Sequence, residues 1–167
     1  SKITSLNVGD LFICYNNLLL DLHGLNNITT VSGSVSIRNN SLLNDLSPIN
    51  NITSLGGDLI IVYNDSLQTV NGIPDVTSIP GNLRVQNLPL LTNLNPLGNI
   101  TYIGGDLSIG YNPLIDNLDG LENITTLGGS LTVRNNDALQ TCIPVNYAAS
   151  HGWSYKATIE YNLGTCQ

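Results

Sequence analysis

The stretch Asn123-Ile124-Thr125-Thr126-Leu127-Gly128-Gly129-Ser130-Leu131-Thr132-Val133-Arg134-Asn135-Asn136 joins an aliphatic step, a glycine pair and a short alternating run, and close variants of it recur along the chain. Its second glycine ends the series Gly9, Gly33, Gly57, Gly81, Gly105 and Gly129, a constant step of 24 residues without insertion. With each of these glycines as position 0, position 2 is Leu11, Val35, Leu59, Leu83, Leu107 and Leu131. Position 4 is Ile13, Ile37, Ile61, Val85, Ile109 and Val133, and position 10 is Leu19, Leu43, Leu67, Leu91, Ile115 and Leu139. Positions 13, 16, 19 and 22 are aliphatic through the first five repeats, as in Leu22, Leu25, Ile28 and Val31. A fixed period between about 20 and 50 residues marks a solenoid, in which each repeat buries its apolar side on the next.

The pattern within a repeat predicts its shape. Positions 2 and 4 alternate with polar neighbours, the two-residue period of a half-buried strand. Positions 10 to 22 step by three. Five such positions would drift about 240° around a helix and form no single stripe, so the segment is read as extended arcs and tight turns. All seven prolines avoid positions 1 to 6, as expected where each backbone N–H joins a sheet ladder. The expected fold is therefore an all-β solenoid with 24-residue turns, a parallel sheet and like residues stacked about 4.8 Å apart. Residues 1–141 form the repeats, as six full turns beginning at Gly9, and residues 142–167 form a C-terminal cap. Ile159-Glu160-Tyr161-Asn162 matches Ile13-Cys14-Tyr15-Asn16 and predicts a seventh strand within that cap, after a short helix around 145–150. Ile3-Thr4-Ser5-Leu6 mirrors Ile52-Thr53-Ser54-Leu55 and reads as the tail of an earlier turn.

The spacing carried by residues 123–136 resembles the repeat of receptor L-domains, found in the insulin and epidermal growth factor receptor ectodomains, and also leucine-rich surface proteins of microbes. The likeness covers residues 1 to about 141. It implies a right-handed solenoid used for ligand binding or adhesion. Receptor L-domains are less regular and carry more cysteines, so the resemblance does not extend to a receptor role.

A longer unit lies within the repeat. Position 6 reads Tyr15, Asn39, Tyr63, Asn87, Tyr111 and Asn135, and position 15 reads Gly24, Pro48, Gly72, Pro96, Gly120 and Pro144. Position 1 alternates in phase with them, as Asp10, Ser34, Asp58, Asn82, Asp106 and Ser130, which makes the unit two turns long. One face thus carries Tyr15, Tyr63, Tyr111 and Tyr161, interleaved with Arg38, Gln86 and Arg134 at position 5. Tyrosines two strands apart stand about 9.6 Å from one another, near the length of a disaccharide. They either cover the strand edge and pack on their neighbours, or offer a platform for sugar or peptide. Position 7, Asn16, Asn40, Asn64, Asn112 and Asn136 with Leu88 as the exception, is expected to turn inward and bond buried backbone groups.

Position 20 is a threonine row, Thr29, Thr53, Thr77, Thr101 and Thr125. Four of its members complete Asn-Ile-Thr acceptors for N-glycans at Asn27, Asn51, Asn99 and Asn123, with Asn39 a further acceptor and Asn64 an inward one expected to stay unmodified. Thr77 persists where Asp75 replaces the acceptor, so the row has a reason of its own, and stacked hydroxyls along a ladder supply one. A flat threonine row also matches an ice-binding face, although Tyr102 in the adjacent column interrupts it.

Cys142 and Cys166 bracket the non-repetitive segment and are expected to form a disulfide that closes the cap, in an oxidising compartment. Cys14, roughly 24 Å below Cys142 by strand spacing, is out of reach of it. The composition agrees with secretion or display at a cell surface. Only 10% of residues are charged, against about 25% in an average domain, so solubility rests on Asn, Ser, Thr and Gly. A net charge of −7 with five scattered basic residues excludes phosphate-backbone recognition, so no nucleic acid is expected. No apolar run approaches the ~20 residues of a membrane helix, and no membrane insertion is expected. The chain starts at Ser1 without Met, as a processed protein or an excised domain would.

Catalytic groupings are absent from this reading. His23 and His151 lie about five turns apart, so no triad or histidine metal cluster forms, and neither metal nor cofactor is called for. The Asp10, Asp58 and Asp106 row places carboxylates about 9.6 Å apart by strand spacing, at the outer limit for inverting hydrolysis, on an open wet face. Turn capping beside glycine explains them better. The expected function is a non-enzymatic extracellular recognition or adhesion module that binds protein or glycan through the strand face. A self-assembling coat or fibre, with copies stacking at the uncapped N-terminal end, and an ice-binding protein are the rivals.

Overall fold

The computed structural model describes residues 6–73 and 75–163. Its main element is a seven-stranded sheet of Leu11–Cys14 (β1), Val35–Arg38 (β2), Leu59–Val62 (β3), Leu83–Gln86 (β4), Leu107–Gly110 (β5), Leu131–Arg134 (β6) and Ala157–Glu160 (β7). The strands lie in sequence order and every neighbouring pair is parallel. Register keeps the repeat: Leu11 faces Val35, Val35 faces Leu59, Leu59 faces Leu83, and so on to Leu131. The seventh strand falls in the expected phase, with Ile159 opposite Val133. Short parallel strands at positions 21 and 22, such as Ser54–Leu55 and Thr126–Leu127, form a second set of ladders. At the first of these, Val8 rather than Leu6 pairs with Val31, through a register shift after Leu6, which corrects the alignment of Leu6 with Leu55. The remainder of the expected earlier tail, Ser1–Ser5, lies outside the described residues.

The step of three has a simple cause. In repeat after repeat the position-10 N–H donates to the position-7 carbonyl, as Leu43 does to Asn40 at 3.1 Å and Ile115 to Asn112 at 3.2 Å. The same closure recurs between positions 16 and 13 (Ile49 to Leu46, 3.0 Å) and between 19 and 16 (Ile52 to Ile49, 3.1 Å). Tight turns in tandem bring every third side chain to the same side, and those side chains are the buried column. Position 15 carries the two-turn unit into the backbone in part. Pro48 and Pro96 lie in 3-10 turns at Ser47–Ile49 and Asn95–Leu97, whereas Gly24 and Gly120 take positive φ of 102° and 95° and Gly72 does not. Proline presets the first kind of turn and glycine alone enters the second without strain.

Close approach explains the position-0 glycines from Gly33 to Gly129, whereas at Gly9 a Cβ would meet nothing within 4 Å. The position-1 side chain of one repeat reaches along the stack to accept the position-1 N–H of the next. Asp10 Oδ1 accepts from Ser34, Asp58 Oδ1 from Asn82 and Asp106 Oδ1 from Ser130, each at 2.7 Å. Those carboxylates occupy the space a Cβ would need, for one added at Gly33 would lie 2.0 Å from Asp10 Oδ1 and one at Gly129 2.2 Å from Asp106 Oδ1. Glycine and aspartate are thus two halves of one device.

The cap contains one α-helix, Cys142–Ser150 (α1), which starts three residues before the expected 145. Pro144 is accommodated because it sits in the first turn, where an N–H has no helical partner. Trp153 is buried, Tyr147 stacks edge-on against it at 5.8 Å, and the Tyr147 hydroxyl donates to the Leu121 carbonyl at 2.9 Å. Burial, reinforced by Glu122, raises the Tyr147 phenol above its usual range. Together these residues close the end of the aliphatic column. Cys142 is disulfide-bonded and Cys14 is free, while Cys166, the expected partner, lies outside the described residues. Thiol titration of the denatured, unreduced protein is expected to give one equivalent per chain, and three after reduction.

Candidate functional site

Strand alternation alone would point position 6 inward, since positions 2 and 4 are buried. The structure departs from alternation at this residue. Tyr15, Asn39, Tyr63, Asn87, Tyr111, Asn135 and Tyr161 all adopt left-handed backbone, with φ between 52° and 60°. In the first six the N–H still completes the ladder, as Tyr63 donates to the Gln86 carbonyl at 3.2 Å and Tyr111 to that of Arg134 at 3.1 Å. The chain then turns, which throws the position-6 side chain outward and sends position 7 into the core.

The inward asparagines form a chain of bonds from repeat to repeat, broken once at Leu88. Asn112 Oδ1 accepts the Leu88 N–H at 3.1 Å while its Nδ2 donates to the Val85 carbonyl at 3.0 Å. Asn40, Asn64 and Asn136 act in the same way, and Asn162 continues the row in the cap. Leu88, with no polar atoms in its side chain, interrupts it. This row holds the turn that presents the tyrosines.

The tyrosine rings are well exposed: 76% for Tyr15, 51% for Tyr63, 41% for Tyr111 and 76% for Tyr161. They line one edge of the main sheet, because each directly follows its strand or, for Tyr161, the last one. Arg38, Gln86 and Arg134 are half-buried on the adjoining outer face. Arg38 bonds Ser36, Gln86 Nε2 donates to Ser108 Oγ at 2.7 Å, and the Arg134 guanidinium lies 5.4 Å from the Tyr111 ring centre. Tyr111 and Arg134 therefore belong to one patch. The sequence reading overlooked position 3 of this face, where Arg84 is exposed and Ser108 and Thr132 are half-buried. The outward register of position 3 was available in the alternating pattern; the depth of the surface there was not.

The other rows have structural work to do. Thr101 and Thr125 hydroxyls donate to the carbonyl of the threonine one repeat earlier, at 3.2 Å in both cases, and Thr53 does so at 3.3 Å. Of the acceptor asparagines, Asn51, Asn99 and Asn123 are exposed, Asn27 and Asn39 are half-buried, and Asn64 is fully buried. Produced in a eukaryotic secretory host, the chain should carry glycans on Asn51, Asn99 and Asn123 and none on Asn64, as read by peptide mass spectrometry. Among the described residues there is no group of three His, Cys, Asp or Glu side chains able to hold a metal ion, and no helix long and apolar enough to cross a membrane.

Comparison with protein-family models, with curated protein sequences and with solved structures finds no match to this chain.

Proposed function

We propose that this chain is a right-handed β-solenoid of the leucine-rich-repeat and receptor L-domain kind, secreted or displayed at a cell surface. Its role in this reading is non-enzymatic recognition or adhesion, with protein or glycan held on the strand face. The observation that carries the reading is the left-handed backbone beneath four exposed tyrosines. A side chain other than Gly, Asn or Asp pays about 1–2 kcal/mol for that conformation. Asparagine enters it readily and occupies the same position in alternate repeats. Tyrosine at these sites is therefore a poor choice for folding, and strain kept at a solvent-facing residue points to use of the ring. Aromatic faces beside arginine suit stacking on sugars or on peptide side chains. The exposed acceptor asparagines and the bonded Cys142 support an extracellular setting.

The double substitution Tyr63→Asn with Tyr111→Asn separates the two roles a ring can have. Stability in urea should stay within about 1 kcal/mol of the parent or rise, because asparagine relieves backbone strain while giving up some ring packing. Capture of ligand from an array of glycans and proteins should be lost. Retained capture would remove the strand face from the mechanism, and a large loss of stability would make the rings structural.

A second reading, end-to-end assembly, is favoured by one feature. The first repeat exposes Phe12, Leu18 and Leu20, at 62%, 86% and 59%. Large apolar groups exposed to water promote association. Sedimentation of this chain should then depend on concentration and become independent of it in Phe12→Ser with Leu18→Ser. A parent that stays monomeric at every concentration would end this reading.

A further inference from the structure

A polar notch of about 330 Å³ lies on the outer face over Ser108 and Thr132, bounded by Arg84, Gln86, Arg134 and Thr158. This volume is near the lower end of the roughly 300–1,000 Å³ of small-molecule sites, room for a single small unit. Three features make the notch unlike the rest of the face. Arg134 Nε is buried without a hydrogen-bond partner, which leaves a costly donor awaiting an acceptor. Neither arginine has a carboxylate within ion-pair distance, since His23 with Asp21 forms the one such pair among the described residues. On a chain of net charge −7, two of the five basic residues meet at this one place.

The nearest acids form no ion pair with them. Asp106 lines the notch, but its Oδ1 is engaged by the Ser130 N–H at 2.7 Å. Glu160 faces Arg134 in register, yet the two do not pair. Arg84 on β4 and Arg134 on β6 are two strands apart and two residues out of register, about 12 Å apart at the backbone, so two long side chains can converge on one anion lying over Ser108 and Thr132. A guanidinium prefers a planar two-oxygen acceptor, and the surrounding hydroxyls and amide suit a polyol. The Tyr111 ring, next to Arg134, offers an apolar face.

We propose that the notch over Ser108 and Thr132 binds a carboxylate-bearing sugar unit of an acidic glycan. Arg84 and Arg134 hold the carboxylate, Ser108, Thr132 and Gln86 meet ring hydroxyls, and Tyr111 covers one side. This assignment rests on the strand-face reading and gives it a ligand class.

The test is titration calorimetry of the full chain with trimers of galacturonate and of glucuronate, the same trimers as neutral methyl esters, and triglutamate. At least one uronate trimer should bind ten times or more tighter than its ester, and more weakly as salt is raised. Arg84→Gln and Arg134→Gln should each weaken it tenfold or more. If Arg134→Gln unfolds, the exposed Arg84 carries the test alone. Equal binding of acid and ester, indifference to both arginine substitutions, or triglutamate binding as tightly as the uronates would each overturn the assignment. The two readings fail differently. A ligand lost with Tyr63 and Tyr111 but indifferent to Arg84 and Arg134 overturns the notch and keeps the strand face. Ligands captured without regard to the tyrosines overturn the strand face itself.

Discussion

Replacing Asn112 by leucine is expected to lower the unfolding free energy by about 2–4 kcal/mol, while the same change at Asn16 should cost less than about 1 kcal/mol. The two residues occupy the same place in the repeat but not in the stack. Asn112 is fully buried and serves two backbone groups of the preceding repeat, the Leu88 N–H and the Val85 carbonyl. Leucine satisfies neither, and each unpaired buried group costs about 1–3 kcal/mol, offset in part by the apolar burial the new side chain gains. The shape of leucine is not the problem, because Leu88 fills this position in the repeat before and is itself fully buried. Asn16 is exposed, and its Nδ2 bonds only the Cys14 carbonyl and Asn40 Oδ1, on the open side of the row. Urea denaturation with unchanged slope would isolate the difference in midpoint. Equal small losses at the two sites would mean that the asparagine row does not hold the turn together.

Alanine at Gly120 is expected to cost about 3 kcal/mol or more, and at Gly24 about 1 kcal/mol. Both glycines sit at position 15 with φ near 100°, so the backbone strain of a side chain is common to the two. Only Gly120 lies under a neighbour. A Cβ there would come 2.1 Å from the Leu94 carbonyl oxygen and 2.7 Å from the Asn95 nitrogen, atoms fixed in the preceding repeat. At Gly24 nothing lies within 4 Å. Thermal denaturation of the two variants reads the contact directly, since subtracting one loss from the other removes the strain. A difference below 0.5 kcal/mol would show that the repeats can separate enough to admit a methyl group, contrary to close packing.

Much of the fold was legible because the aliphatic residues repeat without insertion. Residues that recur every 24 positions and alternate as Leu131 and Val133 do can satisfy their backbone by pairing with their own equivalents, and the parallel register follows. The inward asparagines were legible for a related reason, since a polar residue fixed between apolar columns must serve buried backbone groups. Three things were not legible. The start of α1 at Cys142 was hidden because Pro144 reads as a breaker, although it is harmless in a first turn. The register shift beside Leu6 leaves no mark in composition. The glycine row was read as a period and not as a contact, because the aspartate that fills its space comes from another repeat.

By itself the sequence determined the period, the strand positions, the residues that face inward and the seventh strand at Ile159, since each depends on apolar spacing along a single repeat. Only the tertiary structure decided that position 6 is left-handed, that Tyr111 lies against Arg134, and that Arg84 and Arg134 border one notch over Ser108 and Thr132. Those facts concern side chains from neighbouring repeats at a few ångströms. Backbone conformation at a turn and a notch shared by several strands arise when repeats are stacked, and no single repeat contains them.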